Sequence, residues 1–318
     1  MRNAIPFGRE RWLLVGGVTW RARLLTAPLA ILLLGLAWGC GLPTLEKPGR
    51  LTVLASILPL ADFVRQVGGD RVTVELLVPP GASPHTYEPT PAQLKALARA
   101  RLLVLNGAGL EFWADKLVGA AGNPNLLVVR TAEDLALIVD DEHAHRGHQH
   151  GPGNPHVWLS PLCAMHQVEK IRDALVSADP ENADYYRANA ARYLTELRAL
   201  DAEMRARIGA FSRRKFVALH GAWVYLARDY GLEQAAVVEK IPGQEPSPAD
   251  VAAVVRTVRA AGAGAVFAEP QLPSKAAEAI AAEAGVPVLF LEPLGVPPEY
   301  RYLDTMRHNL AQLEKALR

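Results

Sequence analysis

Glu88-Pro89-Thr90-Pro91-Ala92 and Glu245-Pro246-Ser247-Pro248-Ala249 are one five-residue phrase written twice, and a proline-glycine turn precedes each, Pro79-Pro80-Gly81 in the first case and Ile241-Pro242-Gly243 in the second. Thr90 and Ser247 suit helix N-caps, since a hydroxyl there satisfies an orphan backbone N–H, and the proline that follows has no N–H to leave unpaired. A helical pattern and a short apolar run come after each phrase: Leu102-Leu103-Val104-Leu105-Asn106 and Ala265-Val266-Phe267-Ala268-Glu269. Short strands alternating with longer helices indicate parallel βαβ units. The same order of parts starts at Leu51 and again at Lys215, so the chain is expected to form two similar open α/β lobes, each with a mainly parallel four-stranded sheet. Strands are expected near 51–55, 72–78, 102–106 and 126–129, and near 215–219, 235–239, 265–269 and 287–291. Between the lobes, residues 180–211 carry Tyr185, Tyr193, Leu194, Leu197, Leu200, Met204 and Ile208 mostly at helical spacing, which predicts one long, rigid joining helix.

A length of 318 residues fits two domains. The expected division is a leader over 1–40, a first lobe over 41–179 with a His-rich loop at 140–153, a linker helix over 180–211 and a second lobe over 212–318. Lysine and arginine total 34 against 33 acidic residues, so no basic field exists to recruit nucleic acid. Arg2, Arg9, Arg11, Arg21 and Arg23 precede an apolar run over 24–38, the pattern of a secretory signal. That run of 15 residues is short for a bilayer core roughly 30 Å thick. Its end, Leu36-Ala37-Trp38-Gly39-Cys40, resembles a bacterial lipobox, in which the cysteine is lipidated and becomes the mature N-terminus. The expected product is a monomer in the periplasm or at the cell surface, lipid-anchored to the membrane through Cys40. Cys163 is the second of two cysteines and sits where a small buried residue suits a helix start.

His85, His156, His220 and Glu292 each lie in a Pro- or Gly-marked segment, about 70 residues from the next. No single helix or loop can hold them, so only a folded chain could bring them together. Ligands of open α/β sheets bind beyond the carboxyl ends of the strands, and His220 and Glu292 fall just past expected strands of the second lobe. Three imidazoles and a carboxylate match a four-coordinate zinc site. Between the first two histidines, His143, His145, His148 and His150 sit in a polar tract that begins at Asp140-Asp141-Glu142, a composition suited to weak auxiliary metal binding. The sequence has no Gly-x-x-x-x-Gly-Lys-Ser/Thr loop and no His-Glu-x-x-His, so the parts for nucleotide hydrolysis or that type of zinc proteolysis are missing. The chain is therefore read as a binding protein and not an enzyme.

These segments resemble the zinc and manganese solute-binding lipoproteins of ABC importers, the ZnuA/TroA-like proteins. The resemblance rests on Pro84-His85-Thr86-Tyr87-Glu88-Pro89, on Asn154-Pro155-His156-Val157-Trp158-Leu159-Ser160-Pro161, and on His220-Gly221-Ala222-Trp223 followed by Tyr225-Leu226-Ala227. It extends through Phe267-Ala268-Glu269-Pro270-Gln271 and Leu291-Glu292-Pro293-Leu294-Gly295. It implies two lobes joined by a rigid helix, with metal in the cleft between them on the residues matching His85, His156, His220 and Glu292. The implied role is to capture Zn2+ and deliver it to a membrane permease driven by a cytoplasmic ATPase. The family commonly has aspartate where this chain has Glu292, and water or Glu269 is the alternative fourth ligand. Manganese-specialised members usually show a carboxylate at the position of His220, so imidazole there favours zinc over Mn2+. A manganese or iron carrier, or a surface adhesin stabilised by its metal, are the alternative readings.

Overall fold

A computed structural model describes residues 49–139, 153–240, 244–295 and 300–318. Cys40 and the tract from His143 to His150 lie outside the described residues. The first lobe runs β1 (Leu51–Ala55), α1 (Leu58–Gly68), β2 (Val72–Leu76), α2 (Pro91–Leu97), β3 (Leu102–Leu105), α3 (Ala114–Ala121) and β4 (Leu127–Arg130). The second holds β5 (Lys215–Ala218), α6 (Val224–Tyr230), β6 (Glu233–Val237), α7 (Pro248–Ala261), β7 (Val266–Ala268), α8 (Lys275–Ala284), β8 (Val288–Phe290) and α9 (Tyr302–Leu317). Between them come α4 (Pro161–Ala178) and α5 (Ala183–Gly209). The strand orders are β2-β1-β3-β4 and β6-β5-β7-β8, and every pair is parallel. The sequence repeat is therefore a repeat of topology.

Thr90 and Ser247 cap α2 and α7 as expected, and Gln93 and Asp250 return the bond to each cap's backbone N–H. Most strands are one or two residues shorter or shifted against the sequence reading, and two of the boundary differences have a visible cause. β6 begins two residues earlier than the expected 235, because its register is set by its neighbour: Glu233 N–H bonds the Arg214 carbonyl and its carboxylate lies 3.1 Å from Lys215 Nζ. The long helix is entered through a 3-10 turn at Pro180–Asn182, where Asp179 takes hydrogen bonds from Asn182 Nδ2 at 2.8 Å and Tyr186 Oη at 2.5 Å.

The 27 residues of α5 reach about 40 Å. They pack on α1 and α4 on the first-lobe side and on α6 and α9 on the second. Tyr193, Leu197, Leu200 and Met204 are buried there, in a core that continues from Val53 in β1 to Leu317 in α9. Asp62 of α1 stitches this junction, accepting the Tyr302 N–H that opens α9 at 3.0 Å and the Tyr193 hydroxyl at 3.4 Å.

Burial lifts the Asp62 carboxyl above the ordinary carboxylate range, against the lowering pull of Tyr302 N–H, Gln66, Arg65 and Tyr193. An acid whose pKa is raised by folding costs the fold stability as pH climbs past its unfolded value of about 4, because the unfolded chain releases the proton first. Asp62→Asn cannot ionise and still offers an oxygen to Tyr302. Its stability relative to the parent chain is expected to improve from about pH 4 to about pH 7. Urea midpoints at the two pH values measure this, and a gap that does not change would show that ionisation carries no penalty here.

Candidate metal centre

His85 lies in the irregular stretch between β2 and α2, where Gly81 takes φ +82° and Pro84 is buried. Tyr87 fastens that stretch, donating its hydroxyl to Gln93 Oε1 at 2.7 Å and meeting the Trp113 ring edge-on at 5.9 Å. His156 precedes a 3-10 turn at Val157–Leu159, from which Ser160 caps α4. His220 follows β5 and precedes a 3-10 turn at Gly221–Trp223. Glu292 follows β8. His220 and Glu292 thus come just past the carboxyl ends of strands, while His85 follows β2 at a distance of nine residues and His156 precedes a 3-10 turn.

The structure brings the three histidines together. His85 Nε2 is 2.9 Å from His156 Nε2, which is 3.2 Å from His220 Nε2. One ligand atom from each lies within 4.8 Å of the others. On a tetrahedral zinc with bonds of 2.0–2.1 Å, ligand nitrogens stand about 3.3–3.4 Å apart, so small outward shifts would seat an ion. His156 and His220 are buried and His85 is partly exposed. The cavity they rim measures about 20 Å³, room for one ion or water.

The orientation of two rings follows from their neighbours. Asn154 Nδ2 donates to the Gly221 carbonyl at 2.6 Å, which turns Oδ1 toward His156. That oxygen accepts the His156 backbone N–H at 3.0 Å and lies 2.8 Å from ring Nδ1, so Nδ1 carries the proton. Glu269, buried after β7, places Oε2 2.8 Å from His220 Nδ1 and takes the Trp223 indole N–H on Oε1 at 3.2 Å. A carboxylate at that distance requires a proton on Nδ1. In both neutral rings the Nε2 lone pair then faces the cavity, the arrangement of metal-bound imidazoles. Sequence reasoning left the orienting acceptors of both rings unassigned and gave Glu269 as an alternative fourth ligand. Asn154 stood in the quoted motif, but its contact to Gly221 spans 67 residues and leaves no local pattern.

Glu292 stands apart from the ligand-atom group. Pro293 and Leu294 line the cavity, while Glu292 does not. Its backbone N–H and carbonyl are both held by the Asn309 side chain, at 2.7 and 3.0 Å. Its half-buried carboxyl has Oε2 out of solvent with no hydrogen-bond partner among the described residues. Burial first, and the charge of Glu269 second, push its proton affinity up. Outside the centre, His166 Nε2 lies 2.9 Å from the Glu133 carbonyl, His308 is near Gln312, and Cys163 is buried in the first turn of α4.

Two α/β lobes meeting over a one-ion cavity rimmed by three imidazoles define a cleft-type metal-binding protein of the solute-binding class. The chain belongs to the family of the periplasmic zinc-uptake complex component A, ZnuA, whose model matches residues 53–316. It is 32% identical over 283 residues to the zinc-binding lipoprotein AdcA of Streptococcus pneumoniae serotype 4, covering 85% of this chain and 56% of that protein. The high-affinity zinc uptake system protein ZnuA of Bacillus subtilis is 31% identical over 284 residues, covering 86% of this chain and 89% of that one. The chain thus spans about half the length of the AdcA relatives and most of the Bacillus protein. A crystal structure of ZnuA superposes with a TM-score of 0.76 at 35% identity, over 84% of this chain and 99% of that one. Among the described residues no helix is long and apolar enough to cross a membrane.

If Glu269 orients His220, Glu269→Ala is expected to weaken zinc binding by about 10–100-fold while leaving all three histidines in place. Competition against a chromophoric chelator measures this. Unchanged affinity would reduce Glu269 to a packing residue.

Proposed function

We propose that this protein captures Zn2+ outside the cytoplasm and delivers it to a membrane permease driven by a cytoplasmic ATPase, without catalysing a reaction. The observation that carries the reading is the pair of oriented Nε2 lone pairs of His156 and His220, with His85 Nε2 beside them, over a cavity sized for one ion. The zinc-binding and zinc-uptake names of its relatives support it. His85, His156 and His220 are the first three ligands. Glu292 is the fourth, turning its buried carboxylate oxygen into the cavity when the ion arrives. Four protein ligands leave no open position for a reacting water, which favours carriage over hydrolysis. Imidazole-dominated coordination favours zinc over manganese. Lipidation at Cys40 would keep the carrier beside its permease, and the division into 41–179, 180–211 and 212–318 remains our assignment of its parts.

The test is a chelator-competition titration of residues 41–318, freed of metal, with zinc and manganese in parallel. One tight zinc site exceeding manganese is expected. In His220→Ala the loss should exceed the roughly 100-fold that removal of an orienting partner can cost. Manganese preference would reassign the cargo, and absence of tight binding to either would remove the function. The tract from His143 to His150 is proposed to collect zinc weakly for the cleft. Its deletion is expected to spare cleft affinity and to slow uptake when zinc is scarce; unchanged uptake would dismiss it.

A further inference from the structure

His156 sits at the centre of a short segment whose flanking side chains reach into the other lobe. Two residues before it, Asn154 donates Nδ2 to the carbonyl of Gly221, the residue after His220, at 2.6 Å. Two residues after it, Trp158 donates its indole N–H to the carbonyl of Pro293, the residue after Glu292, at 2.7 Å. All these groups are buried. Each donor therefore fixes the backbone one residue beyond a second-lobe metal ligand. The segment is also held from the other direction, since the Tyr225 hydroxyl donates to the Asn154 carbonyl at 2.6 Å and the Tyr302 hydroxyl to the Trp158 carbonyl at 2.7 Å.

We infer that Asn154 and Trp158 are positioning residues that set the register of the His220 and Glu292 loops against His156, so that the coordination geometry is fixed by two side-chain donors spaced symmetrically about one ligand. Trp158 is the informative member. Its ring lies 5.2 Å from the His156 ring, and its N–H is the direct link from the His156 segment to the Glu292 loop. Removing that N–H loosens the loop that carries the fourth ligand and leaves the three imidazoles where they are. Asn154 acts on the other loop and in addition fixes the His156 tautomer. The inference rests on the ligand assignment proposed above.

The experiment uses residues 41–318 with Trp158→Phe, which keeps an aromatic ring and loses the donor, alone and combined with Glu292→Ala. Asn154→Asp, which keeps the oxygen facing His156 and loses the N–H facing Gly221, is made in both backgrounds as well. Zinc affinity is read by chelator competition, coordination by the d–d absorption of the cobalt-loaded protein, and folding by the melting temperature of the metal-free protein. Trp158→Phe should weaken zinc about tenfold and shift the cobalt bands, with a metal-free melting temperature near that of the parent. In the Glu292→Ala background Trp158→Phe should have no further effect, while Asn154→Asp should keep its own. Parent-like affinity in Trp158→Phe, or a loss of equal size in both backgrounds, overturns the positioning role and leaves the ligand assignment standing. Parent-like affinity in Glu292→Ala alone overturns both. A drop in affinity matched by collapse of the metal-free melting temperature, with unchanged cobalt bands, assigns Trp158 to packing and also overturns the proposal.

Discussion

Two imidazole nitrogens, each without a proton when its ring is neutral, are held 3.2 Å apart inside the protein, and the site depends on that pair. Their lone pairs repel, and in a buried setting that repulsion is screened less than in water. In the metal-free protein His85 can offset part of it, because its Nε2, 2.9 Å from that of His156, can donate a proton into the pair. A divalent cation held by the three rings would do the same with a larger charge. The fold is thus arranged so that the empty centre is the less comfortable state. That is differential stabilisation of the loaded form, built from tautomers.

Keeping such a repulsive pair together requires a stiff frame. The α5 helix binds both lobes along about 40 Å, and the apolar core does not break between them. Polar contacts then fix fine position where the apolar core ends. Asp62 holds the start of α9 against α1, and Glu111, buried in the first lobe, accepts from the Ser56 hydroxyl and the backbone N–H groups of Asn106 and Gly107. Burial raises the Glu111 carboxyl above its ordinary range despite these donors. Asn106 in turn donates Nδ2 to the Pro155 carbonyl, one residue before His156. Strand ends, helix starts and ligand loops therefore share one network.

The sequence made the lobes legible because the Glu-Pro-Thr/Ser-Pro-Ala phrase is a local capping signal, and capping needs no tertiary information. The three histidines were legible for a related reason: each is bracketed by prolines or glycines that mark element ends, and in parallel sheets those ends converge. What escaped were contacts whose two halves lie far apart in the chain, such as Tyr302 with Asp62 across 240 residues and Trp158 with Pro293 across 135. The early start of β6 escaped because a parallel strand's register is dictated by its neighbour, here Arg214 and Lys215, and not by its own apolar pattern. Glu292 is the intermediate case. Its place after a strand was readable, yet whether a carboxylate on a longer stem points into a cavity depends on neighbours such as Glu269 and Asn309, which periodicity does not encode.

The two oriented imidazoles are not equivalent, and the difference has a direction. His156 leans on a neutral amide and His220 on a carboxylate. A carboxylate behind an imidazole increases the electron density at the far nitrogen and makes it the stronger donor. It also places a negative charge near Glu292, whose proton affinity, raised first by burial, rises further in consequence. Without a cation the two carboxylates oppose each other, and a cation in the cleft would relieve that opposition. Glu269 therefore acts twice on the centre, through the basicity of His220 and through the charge it leaves for the ion to neutralise. A neutral glutamine at that position could serve the first role in part and the second not at all.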